Sequence, residues 1–186
     1  MKNSKKIWMI VILGFFCSLL FIEVGPFSSR TLSQYTNGYG TFDMKSYDYE
    51  GVSEILENVM PGGVKIAIGY YIGDFVFIIF FGLLQVLISD KVWKKYKDGE
   101  KRWKWLYAVA IAIPILRGVC DVIENVILAN AYVVYPKIER NAIEIAGVAT
   151  KCKLFLIMMW LIVIFTGKII NLIEKKRSAG NERIIK

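Results

Sequence analysis

The amino-acid sequence predicts an all-α membrane protein: a four-transmembrane-helix bundle forming a single membrane domain over residues 1–186. Three observations predict it. Long apolar runs cover residues 7–24, 64–89, 105–132 and 150–173. Basic residues gather in alternate segments between the runs. The few charged residues inside the runs fall on one helical face instead of being scattered around it.

Each element follows from its residues. A helix rises about 1.5 Å per residue and a bilayer core is about 30 Å thick, so roughly 20 apolar residues cross it. The first run is near that minimum and the other three exceed it. Together they lift the mean hydropathy to +0.45. MKNSKK could open a signal peptide, but the apolar stretch behind it is long and no small-x-small site follows FIEVGPFSS. The first helix is therefore expected to be retained. Cys17 has no lipobox, because Phe15 and Phe16 precede it.

Residues 25–63 form an outer loop. Its first part, GPFSSRTLSQYTNGYGTFD, is rich in Gly, Ser and Thr and reads as irregular. Its second part, SYDYEGVSEILENVMPGG, reads as a short amphipathic helix. Asp48, Glu50 and Ser53 suit its first turns, and Pro61 and Gly62 stop it. Val52, Ile55, Leu56 and Val59 give it an apolar face, to lie on the membrane surface or over the bundle. In the second run, Gly69-x-x-x-Gly73 is a packing motif. Residues 90–104 form a basic loop, and Trp93, Tyr96, Trp103 and, directly after the loop, Trp105 stand beside lysines, as at a membrane interface. VVYPKIERNAIEIAG is a short second outer connection.

The net charge of +8 is distributed as a topology signal. Lys2, Lys5 and Lys6 precede the first run. Lys91, Lys94, Lys95, Lys97, Lys101, Arg102 and Lys104 fill the middle loop. Lys175, Lys176, Arg177, Arg183 and Lys186 follow the last run. The first outer loop is acidic, with Asp43, Asp48, Glu50, Glu54 and Glu57. Four spans put the basic segments on one side, which the positive-inside rule makes cytoplasmic, with both termini in. Attraction to anionic lipid accounts for these charges without nucleic acid. A composition rich in Ile, Lys and Asn points to an AT-rich bacterial genome, and hence to the plasma membrane.

Several chemistries are excluded. Cys17, Cys120 and Cys152 all fall in apolar runs and no CxxC exists, so there is neither a disulfide framework nor a disulfide-forming quinone oxidoreductase. The chain has no histidine, which removes His-based triads, HExxH proteases and most zinc and haem sites. No cofactor is expected.

The third run carries RGVCDVIENVILAN. At 100° per residue, Pro114, Arg117, Gly118, Asp121, Glu124, Asn125 and Leu128 share one face. Ile115, Val119, Val122, Ile123 and Val126 form the opposite face. An ionised group at mid-bilayer costs about 2.5–3.5 kcal/mol on insertion scales, so the stripe must find partners or water. Arg117 and Asp121, four apart, can pair along the helix. On the second run, Tyr70, Tyr71, Asp74, Phe77, Ile78, Phe81 and Gln85 share a face. On the fourth, Lys153 lies with Thr150, Ile157 and Trp160, a few residues from the outer end. By depth, Tyr71, Asp74, Arg117, Asp121, Glu124, Asn125, Thr150 and Lys153 can form one cluster in the outer half of the bilayer.

Tyr71-x-x-Asp74, Asp121-x-x-Glu124-Asn125 and Thr150-x-x-Lys153, in that order, resemble a group of small, uncharacterised bacterial four-helix membrane proteins over about residues 45–160. Arg117 is not part of that pattern. No activity comes with the resemblance. Four readings of the cluster remain open. It is a structural network that fixes helix register. Or it binds or transports an ion, a polar solute or a lipid headgroup. Or it belongs to an enzyme acting on a lipid or lipid-linked substrate, with Asp121 or Glu124 as acid–base and Arg117 or Lys153 holding an anion. Or the protein is an accessory subunit that meets a membrane-protein partner through residues 25–63. Asp74, Asp121, Glu124 and Asn125 form an oxygen-rich set of the kind that holds Mg²⁺ or Ca²⁺, but Arg117 and Lys153 nearby weaken that reading and no metal is expected.

Overall fold

The computed structural model describes residues 2–42, 45–97, 99 and 101–184. Asp43, Lys186 and the side chains of Lys2, Lys101, Arg102 and Arg183, counted in the charge pattern, lie outside the described residues. All regular secondary structure among the described residues is helical. It comprises α1 (Lys2–Val24), α2 (Ser29–Tyr35), α3 (Tyr49–Glu57), α4 (Gly63–Trp93), a 3-10 turn (Lys94–Tyr96), α5 (Lys101–Val134) and α6 (Arg140–Ile184). Four helical segments, at Ser4–Tyr35, Gly63–Tyr96, Trp103–Val134 and Arg140–Arg177, are long and apolar enough to cross a membrane.

The long helices pack in chain order: α1 on α4, α4 on α5, and α5 on α6. A smaller contact joins α6 to α4, whereas among the described residues α1 and α6 share no substantial interface. The bundle is therefore open along one side. Its outward surface is apolar. Ile72, Val76, Ile79 and Leu83 of α4 are exposed, as are Phe155, Met158, Ile162 and Phe165 of α6. The α5 face opposite the polar stripe, Ile115, Val119, Val122, Ile123 and Val126, is exposed too. Such a surface suits lipid and not water.

Two apolar layers hold the bundle together. At one end, Leu32 of α2, Phe42, and Val52 and Leu56 of α3 join Tyr70, Tyr71, Leu128, Tyr132, Ile143 and Ala146. The apolar face of α3 thus lies over the bundle. Asp48 caps this helix by accepting from the Gly51 N–H at 2.9 Å. At the other end, Trp93, Tyr96, Ala110, Ile113, Trp160 and Ile164 form the second layer. Lys91 reaches the Trp8 ring there, and Lys95 pairs with Glu174, so α1, α4 and α6 bring their basic ends together.

The structure corrects two expectations. The stretch read as irregular contains α2. Ser28 caps it by accepting from the Thr31 N–H at 3.2 Å, and fully buried Leu32 anchors it. The connection between the third and fourth long helices is shorter than expected, because helix α6 starts at Arg140 and not near residue 150. Ile143, Ala146, Ala149 and Thr150 are all buried and recur every three to four residues, which is one helix face against the core. The Gly69/Gly73 motif does its packing against rings. A Cβ at Gly69 would meet Phe27 at 2.3 Å, and one at Gly73 would meet Phe21 at 2.5 Å.

Candidate functional site

Between the two apolar layers lies a polar one. Asp74, Arg117, Asp121, Glu124, Asn125, Thr150 and Lys153 are all buried, none more than 5% exposed. α4, α5 and α6 bring them to one level. Lys153 is thirteen residues after Arg140, about 20 Å along α6, and Asp121 lies equally far from Val134 on α5. Lys153 therefore sits deep in the bundle, not near a helix end as residues 150–173 alone implied.

The hydrogen bonds and ion pairs form two sets, one running from Arg117 through Asp121 and Lys153 to Glu124 and one joining Asn125 to Asp74. Arg117 Nη1 donates to Asp121 Oδ2 at 2.9 Å, the pairing their spacing allows. Lys153 Nζ donates to Asp121 Oδ1 at 2.8 Å and lies 2.6 Å from Glu124 Oε2. Asn125 Nδ2 donates to Asp74 Oδ2 at 2.5 Å, which joins α4 to α5. Thr150 turns its hydroxyl back to the Ala146 carbonyl at 3.0 Å. Tyr71 is buried beside this layer, its ring edge-on to Tyr70 and 6.2 Å from that of Tyr132.

One member was not foreseen. Tyr47, in the segment before α3, places its hydroxyl 3.0 Å from the Thr150 hydroxyl and donates to Glu124 Oε1 at 3.3 Å. Burial pushes this phenol well above its ordinary pKa, and neighbouring Glu124 pushes the same way. Tyr47 is 77 residues from Glu124 and 103 from Thr150, so nothing local in the sequence marks it.

The layer holds three buried carboxyl groups, Asp74, Asp121 and Glu124, and two buried basic side chains, Arg117 and Lys153. Arg117 is the asymmetric member. It is 2% exposed, its Cζ stands 4.5 Å from the centre of the Phe81 ring, and its Nε and Nη2 have no hydrogen-bond partner among the described residues. It borders a cavity of about 330 Å³. Leu19, Ile22 and Glu23 of α1 form one wall, and Lys153 and Ile157 of α6 the other. Tyr70, Asp74, Phe77 and Phe81 of α4, with Arg117 and Asp121 of α5, form the floor. The cavity thus occupies the open side of the bundle. Compared with known proteins, the chain matches no family model, no curated protein and no solved structure.

Proposed function

We propose that the chain is a multi-pass plasma-membrane protein, basic end cytoplasmic, that binds or carries a small polar ligand at the Asp74–Arg117–Asp121–Glu124–Lys153 layer. The observation that carries this reading is the Arg117 guanidinium. Two of its nitrogens are buried with no hydrogen-bond partner among the described residues, and the residue lines a cavity. Leaving a buried donor unmade costs about 1–3 kcal/mol, and more for a charged group. A ligand that accepts from Arg117 removes that cost on binding. The cavity volume falls at the low end of small-molecule sites, about 300–1,000 Å³.

A purely structural network is the second reading, favoured by the complete pairing of Asp121, whose two oxygens are held by Arg117 and Lys153. Thermal stability of the detergent-purified protein against a panel of ions, lipids and polar solutes separates the two, run beside Asp121→Asn and Glu124→Gln. Binding predicts a ligand that raises the melting temperature of the parent and of neither variant. A network predicts strong destabilisation in both variants and no ligand shift.

A further inference from the structure

We infer that the ligand of this site is a zwitterionic lipid headgroup, an anionic phosphate next to an ammonium, entering sideways between α1 and α6; the inference rests on the binding reading above. Three features converge on it.

The first is the pair of free donors. Nε and Nη2 of Arg117 form one edge of the guanidinium fork, and that edge matches two phosphate oxygens. The second is charge. An anion alone would face a layer in which carboxyl groups outnumber basic side chains, and Glu23 on the cavity rim adds another carboxyl. A cation alone would leave Arg117 unsatisfied. A zwitterion meets both demands: its phosphate takes Arg117, and its ammonium lies towards Asp74 and Glu23, which line the same cavity. The third is shape. The cavity holds a headgroup and not two acyl chains, and its walls carry Leu19, Ile22 and Ile157. α1 and α6 do not close over it, and their outer faces are apolar. The chains can therefore stay in the bilayer while the headgroup is inside, with no polar group exposed to hydrocarbon.

The test uses the full chain, delipidated in detergent, with melting followed against added phosphatidylethanolamine, phosphatidylglycerol and free phosphoethanolamine. Arg117→Lys keeps the ion pair with Asp121 and removes the fork. Asp74→Asn keeps a group that Asn125 can bond and removes the charge. Phosphatidylethanolamine is expected to raise the melting temperature, with the other two compounds giving little shift. Arg117→Lys should weaken the apparent affinity about ten- to hundredfold, the loss of one charged hydrogen bond. Asp74→Asn should abolish the preference for phosphatidylethanolamine over phosphatidylglycerol. Equal stabilisation by phosphatidylglycerol overturns the zwitterion. A full shift from free phosphoethanolamine overturns lateral lipid entry and makes the ligand a soluble solute. A shift from some other polar solute, with none from lipid, overturns this inference but keeps the binding site. No shift from any compound overturns both. Should Arg117→Lys fail to fold, Ile157→Trp, which fills the α6 wall, decides instead: it should remove the lipid shift, and an unchanged shift refutes entry by this route.

Discussion

Lys153 bridges two carboxylates, and replacing it with methionine is the sharpest test of the polar layer. Its Nζ lies 2.8 Å from Asp121 Oδ1 and 2.6 Å from Glu124 Oε2, with the side chain 5% exposed. Methionine keeps an unbranched stem of similar size and removes the terminal ammonium. Breaking a buried ion pair by deleting one partner typically costs about 3–5 kcal/mol, because the other charge is left uncompensated. Asp121 retains Arg117 at 2.9 Å, so the cost falls mainly on Glu124, which also accepts from the Tyr47 hydroxyl at 3.3 Å. Adding Glu124→Gln removes the carboxylate that Lys153 faces. The double variant should then be milder than the sum of the singles by at least about 1 kcal/mol, within the range of coupling seen for contacting residues. Equilibrium unfolding in mixed micelles, followed by tryptophan fluorescence, measures all three. A Lys153→Met cost below about 1 kcal/mol, or strictly additive singles, would refute the claim that this lysine compensates buried charge.

Other consequences follow from the same geometry. Tyr47→Phe removes the hydroxyl shared by Thr150 and Glu124 and should cost about 0.5–1.5 kcal/mol in the same unfolding assay. The raised Tyr47 pKa also has a pH signature: its contribution is complete below the ordinary phenol value of about 10 and is lost as the pH rises above it. Parent protein should accordingly lose more stability than Tyr47→Phe in alkali, and parallel pH profiles would contradict this. Gln85 is fully buried in α4 with neither its amide nitrogen nor its oxygen hydrogen-bonded among the described residues, so Gln85→Leu should stabilise the fold, whereas destabilisation would show that the amide has a partner. Gly73→Ala should destabilise by about 1–3 kcal/mol, since the added Cβ would lie 2.5 Å from the Phe21 ring, and an unchanged unfolding midpoint would show that α1 yields freely.

The four long helices were legible because lipid imposes a simple rule. A spanning segment must satisfy its own backbone and present apolar side chains, and both leave a mark in one dimension. The stripe on α5 was legible for the same reason: charged residues in a bilayer cannot be placed casually. The bridge between Asp74 and Asn125 was not, because face and depth allow a contact without requiring it. The start of α6 was hidden by the charged residues Glu139, Arg140 and Glu144, which end an apolar run without ending a helix. The spacing of Ile143, Ala146 and Thr150 carried the missing signal. α2 was overlooked because serine and threonine suit both loops and caps, and Ser28 turned out to cap. Tyr47 had no sequence signal at all. Its position depends on where residues 25–63 settle over the bundle, which is decided by Phe42, Val52 and Leu56 reaching the common core.

The central claim is that Arg117 holds a ligand in the gap between α1 and α6. Native mass spectrometry of the protein, gently released from detergent, tests it most directly when parent and Arg117→Lys are compared. The account predicts one bound species of phospholipid mass on the parent, retained at collision energies that strip detergent, and absent from Arg117→Lys. Bare chain in both spectra, with the two proteins equally folded, would contradict it and leave the buried charges as structural members of the bundle.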